Sequence, residues 1–392
     1  MDTIINSQTL KYNSEITTQR INSLINSFEN IFIHDEVKDS EVAKRVISHA
    51  PIEKIEIVSE EPFKSDKGEM SSRQYDRSKK NLFLTKFKGQ FFKRCPGFSQ
   101  KKAITCCNYH VLNLGLQCNM NCSYCYLQGY LNTPVLTLFT NIEDALAELK
   151  ETGINHGSTP LRIGTGEVID SLSLDPLFLY TPQLISFFKS YPNWILELKT
   201  KSNFVEQFIN TPHSKNVIVS WSLNPQNIIS QEEHGTASLR ERLDAAHLCI
   251  QAGFPVAFHL DPLIYHDEWK ENYKQLVNLI TTEFSPQDVL NLTIGTLRFT
   301  PEQRHIMRER FGMKSLITQA EMFVSESGKL RYDSVVRNTM FQFVLDLFKT
   351  NNKLWNISLC METPESWIAT YEKMPSQISE LKSFYKPIQV LK

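Results

Sequence analysis

Three cysteines stand close together in the stretch LGLQCNMNCSYCYLQGY, which covers residues 114–130. They are Cys118, Cys122 and Cys125, and no fourth cysteine or histidine completes the set nearby. A structural zinc site uses four protein ligands, whereas a metal centre that performs chemistry leaves one coordination position free. Thiolates at C-x3-C-x2-C spacing can each bind one iron of a 4Fe-4S cluster and leave the fourth iron open. The spacing therefore predicts a cluster whose open position takes a ligand that is not protein.

The remaining cysteines are Cys95, Cys106, Cys107, Cys249 and Cys360. In a reducing compartment such a cluster of cysteines favours metal ligation over disulfides. A structural zinc site completed by Cys106, Cys107 or His110 is the alternative. One of the cysteines upstream of the loop could also be a hydrogen donor or the ligand of a second metal. Cys249 lies in a helical pattern, and we expect it in the core.

The elements that must position these cysteines are short apolar runs alternating with helical patterns. The runs cover residues 110–116, 160–164, 194–200, 217–223, 255–262 and 289–297. Apolar residues recur at three- and four-residue spacing in 122–131, 141–153, 181–191, 202–210, 237–252 and 267–283. Six strand-helix units in a row predict an α/β fold with a parallel sheet. Because a full barrel has eight units, we expect a partial (β/α)6 barrel.

This barrel is expected to occupy residues 101–300. Residues 1–100 are interpreted as an extension, helical in part, that ends near RCPGF at 94–98. Residues 301–392, with a turn at 325–332 and a helix at 334–350, are expected to form a C-terminal extension that covers the barrel mouth.

Charge and hydropathy exclude some classes of protein. The 392 residues include 42 basic and 43 acidic side chains, so the formal charge of −1 indicates no general affinity for nucleic acid or membrane. No window approaches the roughly eighteen uninterrupted apolar residues of a membrane span. The start lacks a basic head followed by an apolar run, so we expect a cytoplasmic protein without a secretory signal.

One basic segment stands out at residues 64–94, which contain ten Lys or Arg against three Asp or Glu. Five aromatic residues lie among these charges. Such a pattern could line a phosphate backbone. A solvated face leading into the core explains it equally well.

A second candidate loop follows the second predicted strand, in RIGTGEVIDS. It places Gly164, Gly166 and Glu167 at the edge where the carboxyl ends of parallel strands gather ligands, beside the cysteine loop. Glycines allow close approach of the backbone, and a carboxylate can accept from an ammonium group. By itself this would be an ordinary strand-to-helix turn. Next to the cysteine loop, it is predicted to bind a ligand.

These loops together resemble the radical S-adenosylmethionine superfamily, in which an aromatic residue, here Tyr124, precedes the last cysteine. GTGE resembles the Gly-Gly-Glu motif with which many members hold the methionine amine. The resemblance implies that S-adenosylmethionine binds the open iron. It also implies that an electron from the cluster cleaves the cofactor to a 5'-deoxyadenosyl radical.

Residues 105–345 resemble the spore photoproduct lyase branch of that superfamily. The resemblance rests on CSYCYLQ at 122–128, TKSNFVEQFI at 200–209, SWSLNP at 220–225, EHGTASLRERLDAA at 233–246, DPLIYHDEWKENY at 261–273 and LRFTPEQR at 297–304. It implies that Lys201 meets the cofactor carboxylate, while Ser222 and Asn224 reach that carboxylate or the ribose. In the alternative reading, Lys201 caps a loop and Asn224 makes a turn before Pro225.

The same resemblance implies roles for four further residues. Tyr124 and Tyr126 match tyrosines that flank the cluster and relay a hydrogen atom, with Tyr124 better assigned to stacking near the adenine. Arg331 and Tyr332 match a hairpin pair that enters DNA, where they would pair with phosphate and fill the space of a flipped base. Packing alone would also explain the two tyrosines of the cysteine loop.

The sequence departs from the family in the loop at 164–176. The lyase has a hydrogen-donating cysteine there, whereas this loop contains none and the nearest matching position is Glu167. A carboxylate has no weakly bound hydrogen to give. The sequence therefore leaves the hydrogen donor, and with it thymine-dimer repair by the lyase's own route, open.

Three hypotheses follow. The first is a radical S-adenosylmethionine enzyme that acts on DNA or a nucleotide-like molecule and receives its electron from a flavodoxin or ferredoxin. The second is a radical enzyme that modifies RNA, a peptide or a small metabolite. The third is a metal-binding nucleic-acid protein without catalytic activity, which uses the cysteines structurally and the segment 64–94 for backbone contact.

Overall fold

The computed structural model describes residues 7–63, 70–95, 104–105, 107–350, 354–379 and 381, with side chains from residue 14 onward. Cys106 and the first six residues of the basic segment 64–94 lie outside this part of the chain.

The strands are β1 (Asn30–His34), β2 (Ile55–Val58), β3 (Asn81–Thr85), β4 (Phe92–Arg94), β5 (His110–Leu112), β6 (Gly115–Leu116), β7 (Asn121–Cys122), β8 (Leu136–Phe139), β9 (Leu161–Gly164), β10 (Trp194–Thr200), β11 (Val217–Ser222), β12 (Glu233–His234), β13 (Val256–Leu263), β14 (Val289–Thr296), β15 (Arg298–Phe299), β16 (Phe323–Val324), β17 (Leu330–Arg331) and β18 (Ile357–Leu359).

The helices are α1 (Ser7–Ser27), α2 (Glu41–His49), α3 (Ser72–Ser78), α4 (Ile142–His156), α5 (Asp175–Phe178), α6 (Tyr180–Phe188), α7 (Gln226–Glu232), α8 (Leu239–Gln251), α9 (Trp269–Glu283), α10 (Pro301–Phe311), α11 (Leu316–Gln319), α12 (Ser334–Lys349) and α13 (Pro364–Tyr371).

The larger sheet has eight strands in the order β18-β14-β13-β11-β10-β9-β5-β4. All neighbours in it are parallel except β4 and β5. Five of its strands, β9, β10, β11, β13 and β14, match predicted runs within a residue or two. The predicted partial barrel is confirmed, and β18 extends it at the far edge by a strand that the sequence did not predict.

The smaller sheet has five strands in the order β2-β1-β3-β8-β6. It is parallel except where β6 pairs with β8. The predicted first barrel run, 110–116, is therefore divided between the two sheets, with β5 in the larger and β6 in the smaller. The N-terminal extension is helical in part, as expected, but three of its strands also form most of a parallel sheet.

Two predicted helices are absent from the described residues. Residues 202–210 form turns, and 122–131 contain only a strand bridge and a single 3-10 turn at Tyr126–Gly129. Val205 and Phe208 are buried in the core from a segment of turns whose backbone hydrogen bonds, such as Ile209 N–H to the Val205 oxygen, do not extend into a helix. Periodicity alone does not distinguish a buried loop from a short helix.

The two sheets share one core. A single cluster of buried apolar side chains runs from Ile21 in α1 to Leu381 and includes residues of both sheets. A second, smaller cluster of Met70, Tyr75, Leu127 and Val168 packs against the cysteine loop. In the part of the chain that is described, every helix is too short or too polar to span a bilayer.

Candidate active site

The cysteine loop begins after β6 and is fixed by a strand bridge on its far side. Cys122 lies in β7 and pairs antiparallel with Glu233 of β12, which follows β11 of the larger sheet. Cys118 and Cys125 pack against the smaller cluster, which includes Met70 and Tyr75. The loop is thus held between the N-terminal extension and the carboxyl ends of the barrel strands.

The three thiols are candidate ligands for a multi-iron cluster or for a single zinc ion, and the two kinds of site need different ligand geometries. Cys118, Cys122 and Cys125 are free thiols. Within the described ranges, no three His, Cys, Asp or Glu side chains are grouped as ligands of one metal ion. Zinc draws its ligands to within about 2.3 Å of one point, whereas each cysteine of a 4Fe-4S cluster binds a different iron. His110, a candidate for the zinc alternative, instead stacks on Phe92 with the ring centroids 5.2 Å apart.

The surroundings of the thiols are dry, and this affects their protonation. Burial raises the pKa of the Cys118 thiol to about 11. Burial also raises the pKa of Cys122, and the nearby ammonium of Lys201 opposes that shift. Buried thiolates need positive charge nearby to exist near neutral pH. An iron-sulfur core would supply that charge, so the donor set fits the cluster.

The two glycines of the second loop have packing reasons to be glycine. A Cβ on Gly164 would lie 1.7 Å from the hydroxyl of Tyr109, and one on Gly166 would lie 2.8 Å from the carbonyl oxygen of Lys199. Both positions therefore exclude a side chain because of their neighbours in the protein. Their contact with the cofactor stays a prediction.

Glu167 lies three residues after the end of β9, on the same edge as the cysteine loop. The hydroxyl of Tyr126 donates to its backbone carbonyl at 2.7 Å. Burial raises the pKa of the Glu167 carboxyl, while nearby cations including Lys199 and Lys329 lower it. The structure therefore brings Glu167 and Tyr126 together, with the Glu167 carboxyl close to several ammonium groups, and the predicted roles of both residues stay predictions.

Lys201 follows β10 and points along the same edge. Its ammonium donates to Ser222 Oγ at 3.0 Å and lies 5.6 Å from the centroid of the Tyr124 ring. Its backbone nitrogen donates to Asp170 Oδ2 at 2.8 Å. Asp170 also accepts from Thr200 Oγ1 at 2.6 Å, so this carboxylate ties the Glu167 loop to the end of β10. Sequence analysis missed Asp170, since an Asp in a loop gives no signal of its own.

Asn224 is buried and its amide is used within the protein. Its Nδ2 donates to Glu233 Oε1 at 2.9 Å, and its Oδ1 accepts from Tyr273 at 2.9 Å. The same Glu233 oxygen accepts from the hydroxyl of Tyr124. Asn224 therefore positions Glu233 and, through it, Tyr124. Its contact with the cofactor stays a prediction.

Glu233 stands at the centre of this arrangement, although the sequence indicated no role for it within the motif at 233–246, which begins with it. Its second oxygen pairs with Arg242 Nη2 at 2.7 Å, and both side chains are buried. Burial would raise the pKa of Glu233, but Arg242 and Lys201 outweigh burial, and the pKa is lowered. Arg242 also donates to the backbone oxygen of Ser222 at 2.7 Å. Several contacts therefore meet at one ionised carboxylate next to the cysteine loop.

The expected placement of Arg331 and Tyr332 at an exposed hairpin tip is wrong. Both are buried, each with 2% of its surface exposed. Arg331 donates to Glu362 Oε1 at 3.0 Å, and the Tyr332 hydroxyl accepts from the Tyr265 backbone at 3.1 Å. The turn of the β16-β17 hairpin lies at residues 325–329 instead. The ion pair of Arg331 with Glu362 links two parts of the C-terminal extension. A guanidinium inside a protein needs such a carboxylate partner.

The far side of the mouth carries an ion pair and a thiol. Asp261 near the end of β13 pairs with Arg298, whose Nη1 lies 2.9 Å from Oδ1. Arg298 Nη2 also lies 3.5 Å from the sulfur of Cys360, which directly follows β18. The sequence assigned no role to Cys360, because the three-residue strand before it is too short to give a pattern. Of the other cysteines, Cys249 lies in the core as expected.

Comparisons with known proteins agree with this geometry. The family described as spore photoproduct lyase matches residues 28–342. The chain is 25% identical over 205 residues to a spore photoproduct lyase of Geobacillus sp., covering 52% of this chain and 60% of that protein. It is 25% identical over 198 residues to that of Bacillus subtilis, covering 50% of this chain and 58% of that protein. The chain thus spans about three fifths of the length of these relatives.

Solved structures show the same fold. A spore photoproduct lyase variant with bound AdoMet and dinucleoside spore photoproduct matches with a TM-score of 0.72 at 19% identity, covering 86% of this chain and 99% of that one. A lyase complexed with dinucleoside spore photoproduct matches with a TM-score of 0.69 at 19% identity, covering 85% of this chain and 98% of that one.

The resemblance to the spore photoproduct lyase branch, which the sequence motifs indicated, is therefore confirmed. With four fifths of its length, residues 28–342, matched by one family model, the chain belongs to the spore photoproduct lyase family.

Proposed function

We propose that this protein reductively cleaves S-adenosylmethionine at a 4Fe-4S cluster and abstracts hydrogen from DNA or a nucleotide-like substrate. The observation that carries the proposal is the convergence of three free thiols, one buried and two partly buried, with Lys201 and Ser222 at the carboxyl edge of the barrel sheet. When bound, the cluster and S-adenosylmethionine supply the organic radical. The protein then has to bind and orient the cofactor and the substrate and keep water out of the site.

Lys201 is assigned to the cofactor carboxylate. Its ammonium has Ser222 Oγ as its hydrogen-bond partner and lies over the Tyr124 ring, and neither neutralises its charge. An ammonium has three donors, so two remain for a carboxylate after the bond to Ser222. Tyr124 is held in place by Glu233, so its ring can form a fixed wall of the cofactor site. Glu167, with Gly164 and Gly166 before it, is assigned to the methionine amine.

The charge of the mouth supports an anionic substrate. Arg298 is neutralised by Asp261, and Arg331 by Glu362. Lys199 and Lys329 make no ion pair with any residue in the described ranges, and both lie near the Glu167 carboxyl. Two ammonium groups at the mouth are suited to the phosphate groups of a nucleotide strand. Replacing both with Met should weaken binding of a short oligonucleotide and reduce its salt dependence.

We propose Cys360 as the hydrogen donor that the loop at 164–176 lacks. Its thiol lies at the mouth beside Arg298 and within electrostatic range of Lys199 and Asp261. A thiol hydrogen is easily transferred to a carbon radical, whereas a carboxyl hydrogen is not. Cys360→Ala should leave 5'-deoxyadenosine formation intact and divert the substrate radical to other products. An unchanged product in this variant would rule Cys360 out.

The main test is anaerobic reconstitution with iron and sulfide, followed by dithionite, S-adenosylmethionine and an irradiated thymine-containing oligonucleotide. We expect 5'-deoxyadenosine and restored thymines, detected by chromatography. Cys122→Ala should lose the cluster spectrum and both products. Cys249→Ala, which removes a buried thiol far from the loop, is the matched control and should retain them.

The outcomes separate the candidate functions. Deoxyadenosine without repaired thymines would point to RNA, a peptide or a small metabolite as substrate. A fully loaded cluster that yields no deoxyadenosine under any condition would contradict the enzyme and favour a metal-binding nucleic-acid protein.

A further inference from the structure

The basic segment at 64–94 contains a lysine that is not on the surface. Lys79, at the end of α3, has 9% of its surface exposed. Its ammonium donates to the backbone oxygens of Cys118 at 2.7 Å and Met120 at 2.6 Å. This positive charge is therefore directed at the cysteine loop and is not available to a phosphate backbone in solution.

Lys79 has no carboxylate partner among the described residues, since both of its hydrogen-bond acceptors are neutral carbonyls. A buried charge without a counter-ion costs several kcal/mol, so such groups normally have one. The thiols of Cys118, Cys122 and Cys125 are all electrostatic neighbours of the ammonium. The missing counter-ion is accounted for if these sulfurs carry negative charge as ligands of the cluster.

Tyr75 of the same helix approaches the loop from one turn earlier. It has 1% of its surface exposed, and its hydroxyl donates to Cys125 Sγ at 4.0 Å. The Lys79 ammonium lies 4.7 Å from the centroid of its ring. The Arg310 guanidinium lies 4.6 Å from the same centroid, and Arg310 is paired with Asp76. The tyrosine ring thus contacts two cations, and its hydroxyl is directed at a predicted cluster ligand.

Helix α3 is itself held in place. A capping box between Ser71 and Gln74 begins the helix. Ser72 Oγ donates to Glu309 of α10 at 2.6 Å. Ser78 Oγ accepts from the side chain of Gln117, the residue before the first cysteine. The lysine and the tyrosine therefore stand at fixed positions relative to the loop.

Positive charge and hydrogen bonds to sulfur both stabilise the reduced form of an iron-sulfur cluster. Reduction by one electron makes the cluster and its thiolates one unit more negative. An ammonium nearby lowers the energy of the more negative state more than that of the less negative one. The effect is larger in a dry site, because burial reduces screening by water and salt.

We propose that Lys79 and Tyr75 are positioning residues that raise the reduction potential of the cluster. The assignment rests on the proposed cluster site. It gives the N-terminal extension a function in the chemistry, namely to make the cluster easier to reduce by a biological electron donor and to shield it from water.

The test is a redox titration of the reconstituted protein, followed by electron paramagnetic resonance of the reduced cluster. Lys79→Met should shift the midpoint potential to more negative values, with a reduction equilibrium constant about tenfold lower, which corresponds to about 59 mV for one electron. Tyr75→Phe keeps the ring and should shift the potential in the same direction by less. Lys80→Met removes the neighbouring exposed lysine and is the matched control, expected to leave the potential unchanged.

A wild-type potential in Lys79→Met with a full complement of iron would overturn the proposal. If Lys79→Met does not fold or load iron, Tyr75→Phe decides, because an unchanged potential in that variant also contradicts it. An equal shift in Lys80→Met would mean that net charge alone acts, which again contradicts a specific role. Failure of the wild-type protein to cleave S-adenosylmethionine would instead refute the proposed function, since the potential is measured without that cofactor.

Discussion

Two lysines approach the cysteine loop from opposite sides, and they are held in different ways. Lys79, from the N-terminal extension, places its ammonium on the carbonyl oxygens of Cys118 and Met120. Lys201, from the barrel, keeps Ser222 as its partner and faces the Tyr124 ring. The first is bound to the loop backbone, whereas the second has donors left for a ligand.

The difference indicates a division of labour around one site. The N-terminal side supplies a dry shell and a fixed charge, made of Met70, Tyr75 and Lys79. The barrel side supplies groups that bind the cofactor, supported by the buried pair of Glu233 and Arg242. We therefore expect changes on the first side to alter the potential or the stability. Changes on the barrel side should alter cofactor binding or the stability of the buried pair that supports the binding groups.

The largest effect on stability is expected at the buried pair of Glu233 and Arg242, which supports the binding groups on the barrel side. Glu233→Gln leaves the buried guanidinium of Arg242 without its counter-ion, which should cost about 3 to 5 kcal/mol of unfolding free energy. Urea denaturation measures this. A double-mutant cycle with Arg242→Met isolates the pair. If the two single losses simply add, the pair does not act as a unit and the barrel side is not pre-assembled as described.

The stability of the folded protein is expected to depend on pH through His110, which lies at the boundary between the extension and the barrel. Burial, and then the charge of Arg94, lower the pKa of His110 from 6.5 to about 4. In the unfolded chain this histidine takes up a proton as the pH falls below 6.5, whereas in the folded protein it does so only near 4. Between these values falling pH stabilises the unfolded state, so the folded protein should lose about 3 kcal/mol.

Urea denaturation at pH 7, 5.5 and 4 measures the loss in wild type and in His110→Phe, which can still stack on Phe92. The variant should lose about 3 kcal/mol less than wild type over this range. His305→Phe, at an exposed position of α10, controls for removal of a histidine. Equal pH dependence in wild type and His110→Phe would show that another group causes the loss.

The comparison of the two lysines is tested directly by affinity for S-adenosylmethionine. Lys201→Met removes a charge-assisted hydrogen bond and should weaken binding by about 2 kcal/mol, or roughly thirtyfold, with normal iron content. Isothermal titration on the reconstituted protein measures it. Lys79→Met should bind within about twofold of wild type. Equal losses of affinity in both variants would contradict the proposal that the two lysines have different roles.

The smallest effect is expected at Tyr126, which is 37% exposed and donates to the carbonyl of Glu167. Tyr126→Phe should weaken cofactor binding by about 1 kcal/mol, since it removes one hydrogen bond and keeps the ring. Phe replacement of the exposed Tyr130 beside it is the control. A loss of turnover far beyond the loss of binding would instead indicate a direct part in hydrogen transfer.

Much of the fold followed from local patterns. The runs at 194–200 and 217–223 became β10 and β11, because long β-branched and apolar runs are unambiguous. The cysteine loop and Glu167 were found because their spacing and their place after strands carry information. Asp170, Glu233 and Arg242 were missed, since a single charged residue in a loop or helix is usually a solvated one.

The sequence by itself indicated a metal centre with an open position and a parallel sheet, because thiolate spacing is a local property and strand-helix alternation is a periodic one. Only the tertiary structure decided which charges are buried and what they face. Lys79 and Arg331 belong to segments for which an exposed nucleic-acid contact was one of the readings left open by the sequence, yet one faces the cysteine loop and the other pairs with Glu362. The physical reason is that burial and counter-ions come from residues far apart in the chain, such as positions 79 and 118 or 331 and 362. A pattern of neighbouring residues does not contain that information.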